Sequence, residues 1–340
     1  MVLQEDLDIV ASYINETGYK NNTIMVTGST GLIGSLIVKS FLLANKKYKL
    51  NNKVYALAMR KEDAISVFDS KDKNIHIVEN EITQPINVND NVDYIFHTAA
   101  ITNSKVMVER PVELIKISVF GTSNVLNFAK EHGTKAVVYL SSLEAYGQMN
   151  GCHGVLEDEL GYIDLKNVRS CYPESKRMCE NLCKCYSAEY GVKAISVRLG
   201  QTFGAGVSME DNRVFAMIAK NVINGKNIVL NTKGKSAHDY CYTTDVVRGI
   251  LLVAQRGEAG EIYNISNPAT YSSIKNMAKF VAKNFNKNVK VLINCTNNAQ
   301  FSKDSKIRLN TDKINSLGWK PQFGLYEIYD RLIKYYNENM

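Results

Sequence analysis

Tyr172 and Lys176 stand four residues apart in the run Tyr172-Pro173-Glu174-Ser175-Lys176. On a helix that spacing puts a phenol and an ammonium on one face, one turn apart. A neighbouring ammonium favours the phenolate, so the pair reads as a tyrosine whose pKa is drawn down towards neutrality. Such a tyrosine exchanges a proton with a carbinol or carbonyl oxygen while a nicotinamide moves the hydride. The lysine can also hold the nicotinamide ribose, and Ser142, in the pair Ser141-Ser142, would hydrogen-bond the same substrate oxygen. A Tyr-x-x-x-Lys spacing alone is common by chance. Its place in the chain, one strand after Ser141-Ser142 and well downstream of a glycine turn, makes it specific.

That turn is Thr27-Gly28-Ser29-Thr30-Gly31-Leu32-Ile33-Gly34-Ser35. It follows the apolar run Ile24-Met25-Val26, which reads as a buried strand, and opens onto a helical pattern, Leu36 to Leu43. Glycine permits a tight turn and a close approach of pyrophosphate to the backbone amides, and the helix N-terminus adds partial positive charge. The spacing is one residue wider at the front than the G-x-G-x-x-G dinucleotide fingerprint. A carboxylate for the ribose 2′-hydroxyl is expected at the end of the second strand. That position is Ala58, followed by Met59, Arg60 and Lys61. Two positive charges without a carboxylate suit a 2′-phosphate and predict NADP(H) over NAD. A plain solvated loop charge is the alternative for Arg60.

The elements that must position these groups follow from hydrophobic patterning. Strands are predicted at Ile24–Val26, Val54–Met59, Ile75–Val78, Tyr94–His97, Ala136–Leu140 and Ala194–Val197. Helices lie between most of them, notably Val112–Lys130 and Pro173–Tyr190, and residues 1–22 read as an amphipathic N-terminal helix. Strands alternating with helices imply an α/β fold with a doubly wound parallel sheet and ligands at the carboxyl ends of its strands. From about Gln201 the alternation breaks into short strands, Ile228–Leu230 and Ile262–Asn264, and further helices. The expected organisation is a dinucleotide-binding domain over 1–200 and a mainly substrate-binding lobe over 201–340, with some segments interleaved and the cleft between them.

Composition bounds the function class. The chain has 340 residues and a net charge of +7 from scattered lysines, a pattern of a solvated basic surface or a pocket for anionic ligands rather than nucleic-acid binding. Glu5, Asp6 and Asp8 stand where a signal peptide carries lysine and then an apolar run, and the best apolar stretch is cut by Lys39. A cytoplasmic protein with no membrane partner is expected. Of the seven cysteines, Cys179, Cys183 and Cys185 crowd one predicted helix. They lack paired C-x-x-C spacing and nearby histidines, so free thiols are preferred to a metal site.

From about residue 22 to 335 the chain resembles the extended short-chain dehydrogenase/reductases, the branch that acts on nucleotide-linked sugars. The matching pieces are Thr27-Gly28-x-x-Gly31-x-x-Gly34, His97-Thr98-Ala99-Ala100, Val119-Phe120-Gly121-Thr122, Leu140-Ser141-Ser142-Leu143-Glu144-Ala145-Tyr146-Gly147 and Tyr172-x-x-x-Lys176. Arg198-Leu199-Gly200-Gln201-Thr202-Phe203-Gly204, Asp239-Tyr240-Cys241-Tyr242-Thr243-Thr244-Asp245-Val246 and Leu317-Gly318-Trp319-Lys320-Pro321 complete the set.

The resemblance implies a Rossmann-type sheet and makes Tyr172, Lys176 and Ser142 the catalytic trio. It places Gly28, Thr30, Gly31, Leu32, Ile33, Gly34, Arg60, Glu81, Ile82, Ala99, Ala100, Leu199 and Gly200 around the dinucleotide. It assigns Thr102, Gln201, Arg213, Val214, His238 and Arg308 to the nucleotide-diphosphate sugar. Relatives pair two long helices across a two-fold axis, so a homodimer is expected.

The departures bear on the reaction. Dehydratases of this branch carry Thr-Asp-Glu where this chain has Ser142-Leu143-Glu144, and leucine cannot donate the proton that expels a 6-hydroxyl. Glu144 serves as a base, as in decarboxylating relatives, or only hydrogen-bonds locally. The usual phosphate-gripping arginine is His238, and the asparagine before Val119 is Ser118. With the NADP reading, these changes lead to net reduction of a nucleotide-activated sugar by NADPH, with CDP-linked sugars of capsule or teichoic-acid pathways as the nearest likeness. A 4-epimerase, 4,6-dehydratase or decarboxylase that recycles NAD(P) is the alternative.

Overall fold

The computed structural model describes residues 1–295 and 304–340. Strands β1 (Thr23–Thr27), β2 (Lys53–Ala58), β3 (Ile75–Glu79), β4 (Tyr94–His97), β5 (Ala136–Ser142), β6 (Ala194–Leu199) and β7 (Ile262–Ile265) form a seven-stranded sheet in the order β7-β6-β5-β4-β1-β2-β3. Every pairing in it is parallel. The order reverses between β1 and β4, the switch point where open α/β sheets take their ligands. The register sets Thr27 beside His97, His97 beside Tyr139, and Ser142 beside Leu199. The carboxyl ends of β1, β4, β5 and β6 thus form one edge.

The strands are near-continuous apolar runs because helices cover both faces. On one face, helices α1 (Val2–Glu16), α2 (Leu32–Tyr48) and α5 (Thr243–Arg256) bury Ile14, Ile37, Phe41 and Leu251 against Val26, Phe96 and Val197. On the other, α3 (Pro111–Glu131) and α4 (Cys171–Tyr190) bury Val125, Phe128, Cys179 and Cys183 against Met25, Ile95 and Val137. The N-terminal helix is shorter than its pattern predicts. Gly18, with φ +78°, breaks it soon after Glu16, and the chain then turns into β1. Cys185 is exposed while Cys179 and Cys183 are buried, so the three thiols face different surroundings. Among the described residues no helix is long and apolar enough to cross a membrane.

A second core joins Phe203, Phe215, Ile218, Val281 and Tyr329, with the rings of Phe203 and Phe215 stacked at 4.4 Å. It belongs to the helices Val214–Ile223, Ile274–Phe285 and Leu325–Glu338. Strand pairing crosses the boundary expected at residue 200 in both directions. β7, read from the sequence as a strand of the small lobe, is the edge of the main sheet, because Tyr263 and Ile265 are buried there beside β6. The strand Asn150–Val155 pairs instead with Lys306–Leu309.

Candidate active site

The glycine turn after β1, the end of β5 and the first turn of α4 converge on one cavity of about 740 Å³. Gly28 has φ +61°, and a Cβ there would come within 2.6 Å of the Ala99 Cα; one on Gly34 would come within 2.5 Å of the Gly28 carbonyl oxygen. The Thr98 hydroxyl donates to the Thr27 carbonyl at 2.7 Å, fastening the turn to the end of β4. No side chain caps α2, and its first turn carries no acid. Gly31, Leu32, Ile33 and Gly34 therefore line the cavity with the helix's positive pole, an arrangement that fits the pyrophosphate of a dinucleotide.

The end of β2 differs from the sequence reading. Arg60 is exposed, and Asp63 accepts from its Nε at 2.9 Å and from its terminal nitrogen at 2.8 Å. Glu79, at the end of β3, accepts the Lys61 backbone N–H at 3.2 Å. The guanidinium that was to meet a 2′-phosphate already has a carboxylate, three residues on in the next helix.

Tyr172 and Lys176 lie on the first turns of α4, both buried. Lys176 Nζ donates to the Leu140 carbonyl at 2.7 Å and sits 5.6 Å from the centre of the Tyr172 ring. Burial pulls the Lys176 pKa down to about 8. Burial pushes the Tyr172 phenol up, and the Glu144 carboxylate adds to this; a hydrogen bond with Ser142 and the charge of Arg169 oppose it. The sequence predicted a depressed tyrosine. In the structure the lysine is turned to a backbone carbonyl, and desolvation outweighs nearby charge.

Ser142 accepts the Glu144 N–H at 3.2 Å and so caps the short 3₁₀ turn Leu143–Tyr146. The turn buries Leu143 among Tyr146, Val155, Ile307 and Leu309 and leaves Glu144 on the cavity wall. There Arg169 donates to Glu144 at 2.7 and 3.4 Å. Arg169 was not singled out from the sequence; its place three residues before Tyr172 is the signal that could have found it.

Ala100, Thr102, Leu199, Gly200, Gln201, Arg213, Val214 and His238 also line the cavity. Burial lowers the His238 pKa to about 4, against the pull of Glu144, so the imidazole there is neutral. Arg213 is held by Asp211 at 2.6–3.1 Å. Gly28, Thr30, Arg60, Glu81, Ile82 and Ala99 are not on the wall. Ile82 instead fills the space in front of Gly121, and Asn124 Nδ2 donates to its carbonyl at 3.0 Å. Arg308 is a correction: it points to solvent, while its neighbour Ile307 lines the cavity, because successive side chains of a strand face opposite ways.

Behind the wall, Glu180, one turn beyond Lys176, accepts from the Ser141 hydroxyl and from Arg198 at 2.9 and 2.8 Å. Arg198 lies 4.4 Å from the Tyr146 ring centre and donates to the Glu157 carbonyl at 2.9 Å. This network ties α4 to β5 and β6 and holds Tyr172 over Ser142.

A family model described as the NAD dependent epimerase/dehydratase family matches residues 24–266. UDP-glucuronic acid decarboxylase 6 of Arabidopsis thaliana is 28% identical over 316 residues, 90% of this chain and 86% of its own length. The structure of UDP-glucose 4-epimerase from Thermotoga maritima with UDP-glucose superposes with a TM-score of 0.80 at 22% identity, covering 93% of this chain and 99% of that one. That of UDP-glucuronic acid 4-epimerase from Bacillus cereus, in complex with UDP-glucuronic acid and NAD, gives 0.76 at 19%, covering 94% and 100%. None of these three is a net reductase of a CDP-linked sugar, and the reading they support is the alternative one.

Proposed function

The chain belongs to the NAD dependent epimerase/dehydratase family, and from that premise we propose that it oxidises and re-reduces a nucleotide-diphosphate sugar with recycled NAD(P). The observation that carries this is the single cavity running from the glycine turn to Tyr172, Ser142 and Glu144. Bound NAD(P) supplies the hydride acceptor and donor. Tyr172 takes the carbinol proton and gives it back, and the Ser142 hydroxyl holds the same oxygen. Lys176 has three donors, of which one is on Leu140, leaving two for ribose hydroxyls. Glu144 is the remaining carboxylate near the sugar and serves as its second base. Arg213 and Gln201 serve the diphosphate end. Asp63 on Arg60 removes the case for a 2′-phosphate grip, so NAD is as good a cofactor as NADP.

The test is hydride balance. UDP-, CDP-, dTDP- and GDP-linked sugars are offered in turn with NAD or NADP in catalytic amounts, following product and nicotinamide absorbance together. Product without net cofactor change is expected. One NADPH oxidised per sugar consumed would overturn the recycling reading and restore net reduction.

We also propose that α3 and α4 pair with a second copy. Val112, Ile115 and Phe120 on α3 and Met178 on α4 are exposed, with Phe120 at 54%. Their burial would form a four-helix contact. Sedimentation at micromolar concentration should show a dimer that Phe120→Asp weakens; a wild-type monomer contradicts it.

A further inference from the structure

Besides His238, the cavity wall carries three basic side chains among the described residues: Lys176, Arg213 and Arg169. Lys176 is buried on the Leu140 carbonyl, and Arg213 is closed onto Asp211 through three contacts. Arg169 differs. Its side chain is 27% exposed, and its contacts with Glu144 are unequal, one of 2.7 Å and one of 3.4 Å. A guanidinium has five N–H donors in a planar fork, so Glu144 leaves most of them for the cavity.

Arg169 also sits at the sugar end. Glu144, its partner, follows Ser142 by two residues, and Tyr172 follows Arg169 by three; both Glu144 and Arg169 act electrostatically on the Tyr172 phenol. Leu143, between Ser142 and Glu144, is buried and offers no hydrogen bond from its side chain. The spare polar capacity close to the reacting oxygen is therefore that of a cation. A fork of this kind matches a carboxylate through two parallel hydrogen bonds, whereas a neutral hydroxymethyl group can use only one and leaves the charge unmatched.

We propose that Arg169 grips a carboxylate on the sugar, so that the substrate is a nucleotide-linked uronic acid rather than a neutral hexose; this rests on the nucleotide-sugar reading above. The incoming carboxylate shares the guanidinium with Glu144. Glu144 then loses part of its own counter-charge and becomes the easier group to protonate, which suits a side chain that passes a proton beside the sugar.

The test compares UDP-glucuronate with UDP-glucose, which differ by a carboxylate in place of a hydroxymethyl group, with UDP alone reporting the nucleotide end. Calorimetric titration of the NAD-supplemented protein should show UDP-glucuronate binding about ten- to a hundredfold more tightly than UDP-glucose. Arg169→Met should abolish that gap and leave UDP affinity within about threefold. Arg169→Lys, a point charge without the fork, should keep the preference but reduce it several-fold. Should Arg169→Met fail to fold, the wild-type comparison and the lysine variant decide. Equal affinity for the two sugars in the wild type, or a preference that survives Arg169→Met, overturns the assignment while leaving the nucleotide-sugar reading intact. Failure of UDP, CDP, dTDP and GDP alike to bind overturns both.

Discussion

Tyr172→Phe is expected to lose roughly two to four powers of ten in turnover while binding NAD as the wild type does, the scale of general acid–base catalysis. The substitution removes one oxygen from a residue whose ring is buried in the first turn of α4. The ring itself stays, so the wall of the cavity and the glycine turn are undisturbed. Lys176 keeps its bond to the Leu140 carbonyl. The readout is therefore a split: turnover collapses, dinucleotide affinity holds. Stopped-flow or steady-state rates on whichever nucleotide-sugar proves active, beside a titration of NAD, measure both. Near-normal turnover would remove Tyr172 from the chemistry and leave Glu144 as the group to examine. Ser142→Ala should lose less, because Tyr172 remains to move the proton.

Breaking the Glu180–Arg198 pair is expected to have the largest effect on stability. Both side chains are almost wholly buried, at 5% and 2% exposure. A buried pair that loses one member leaves an uncompensated charge in a poorly polarisable interior, at a cost of about 3–5 kcal/mol. That is a large fraction of the roughly 5–15 kcal/mol by which a folded domain exceeds its unfolded state. Glu180→Gln leaves Arg198 charged, and Arg198→Met leaves Glu180 with only the Ser141 hydroxyl. Denaturant titration of each single variant should show the loss. The double replacement Glu180→Leu with Arg198→Met should recover most of it, because two apolar side chains leave no charge behind. Single variants as stable as the wild type would mean that water reaches the pair. Activity should fall with stability, since the network also holds α4 against β5.

The recycling proposal differs from the first reading of the sequence, and two local details account for the difference. Ala58-Met59-Arg60-Lys61 looks like a 2′-phosphate site when only the loop is considered. Asp63 lies outside that window, yet a single turn of the helix Lys61–Val67 brings it onto the Arg60 fork. The depressed tyrosine failed for a similar reason. Helical spacing correctly put Tyr172 and Lys176 on one face, but spacing does not fix a lysine's rotamers, and the buried Leu140 carbonyl claims its ammonium.

Sequence by itself determined the parallel sheet, the glycine turn and the Tyr172, Lys176 and Ser142 set. Each rests on short-range physics: apolar runs long enough for a buried strand, a φ that glycine favours at Gly28, a helical period that repeats at four residues. Tyr94–His97 was predicted with both ends where the structure has them, and α4 begins two residues before its predicted start. Only the tertiary structure decided what depends on distant partners. It put β7 on the edge of the main sheet, turned Arg308 to solvent by strand alternation, and set Arg169 against Glu144 from 25 residues away. Periodicity carries no information about which charge meets which across such separations. That choice is made when the strands and helices pack, and at this cavity it settles which cation is left to meet a ligand.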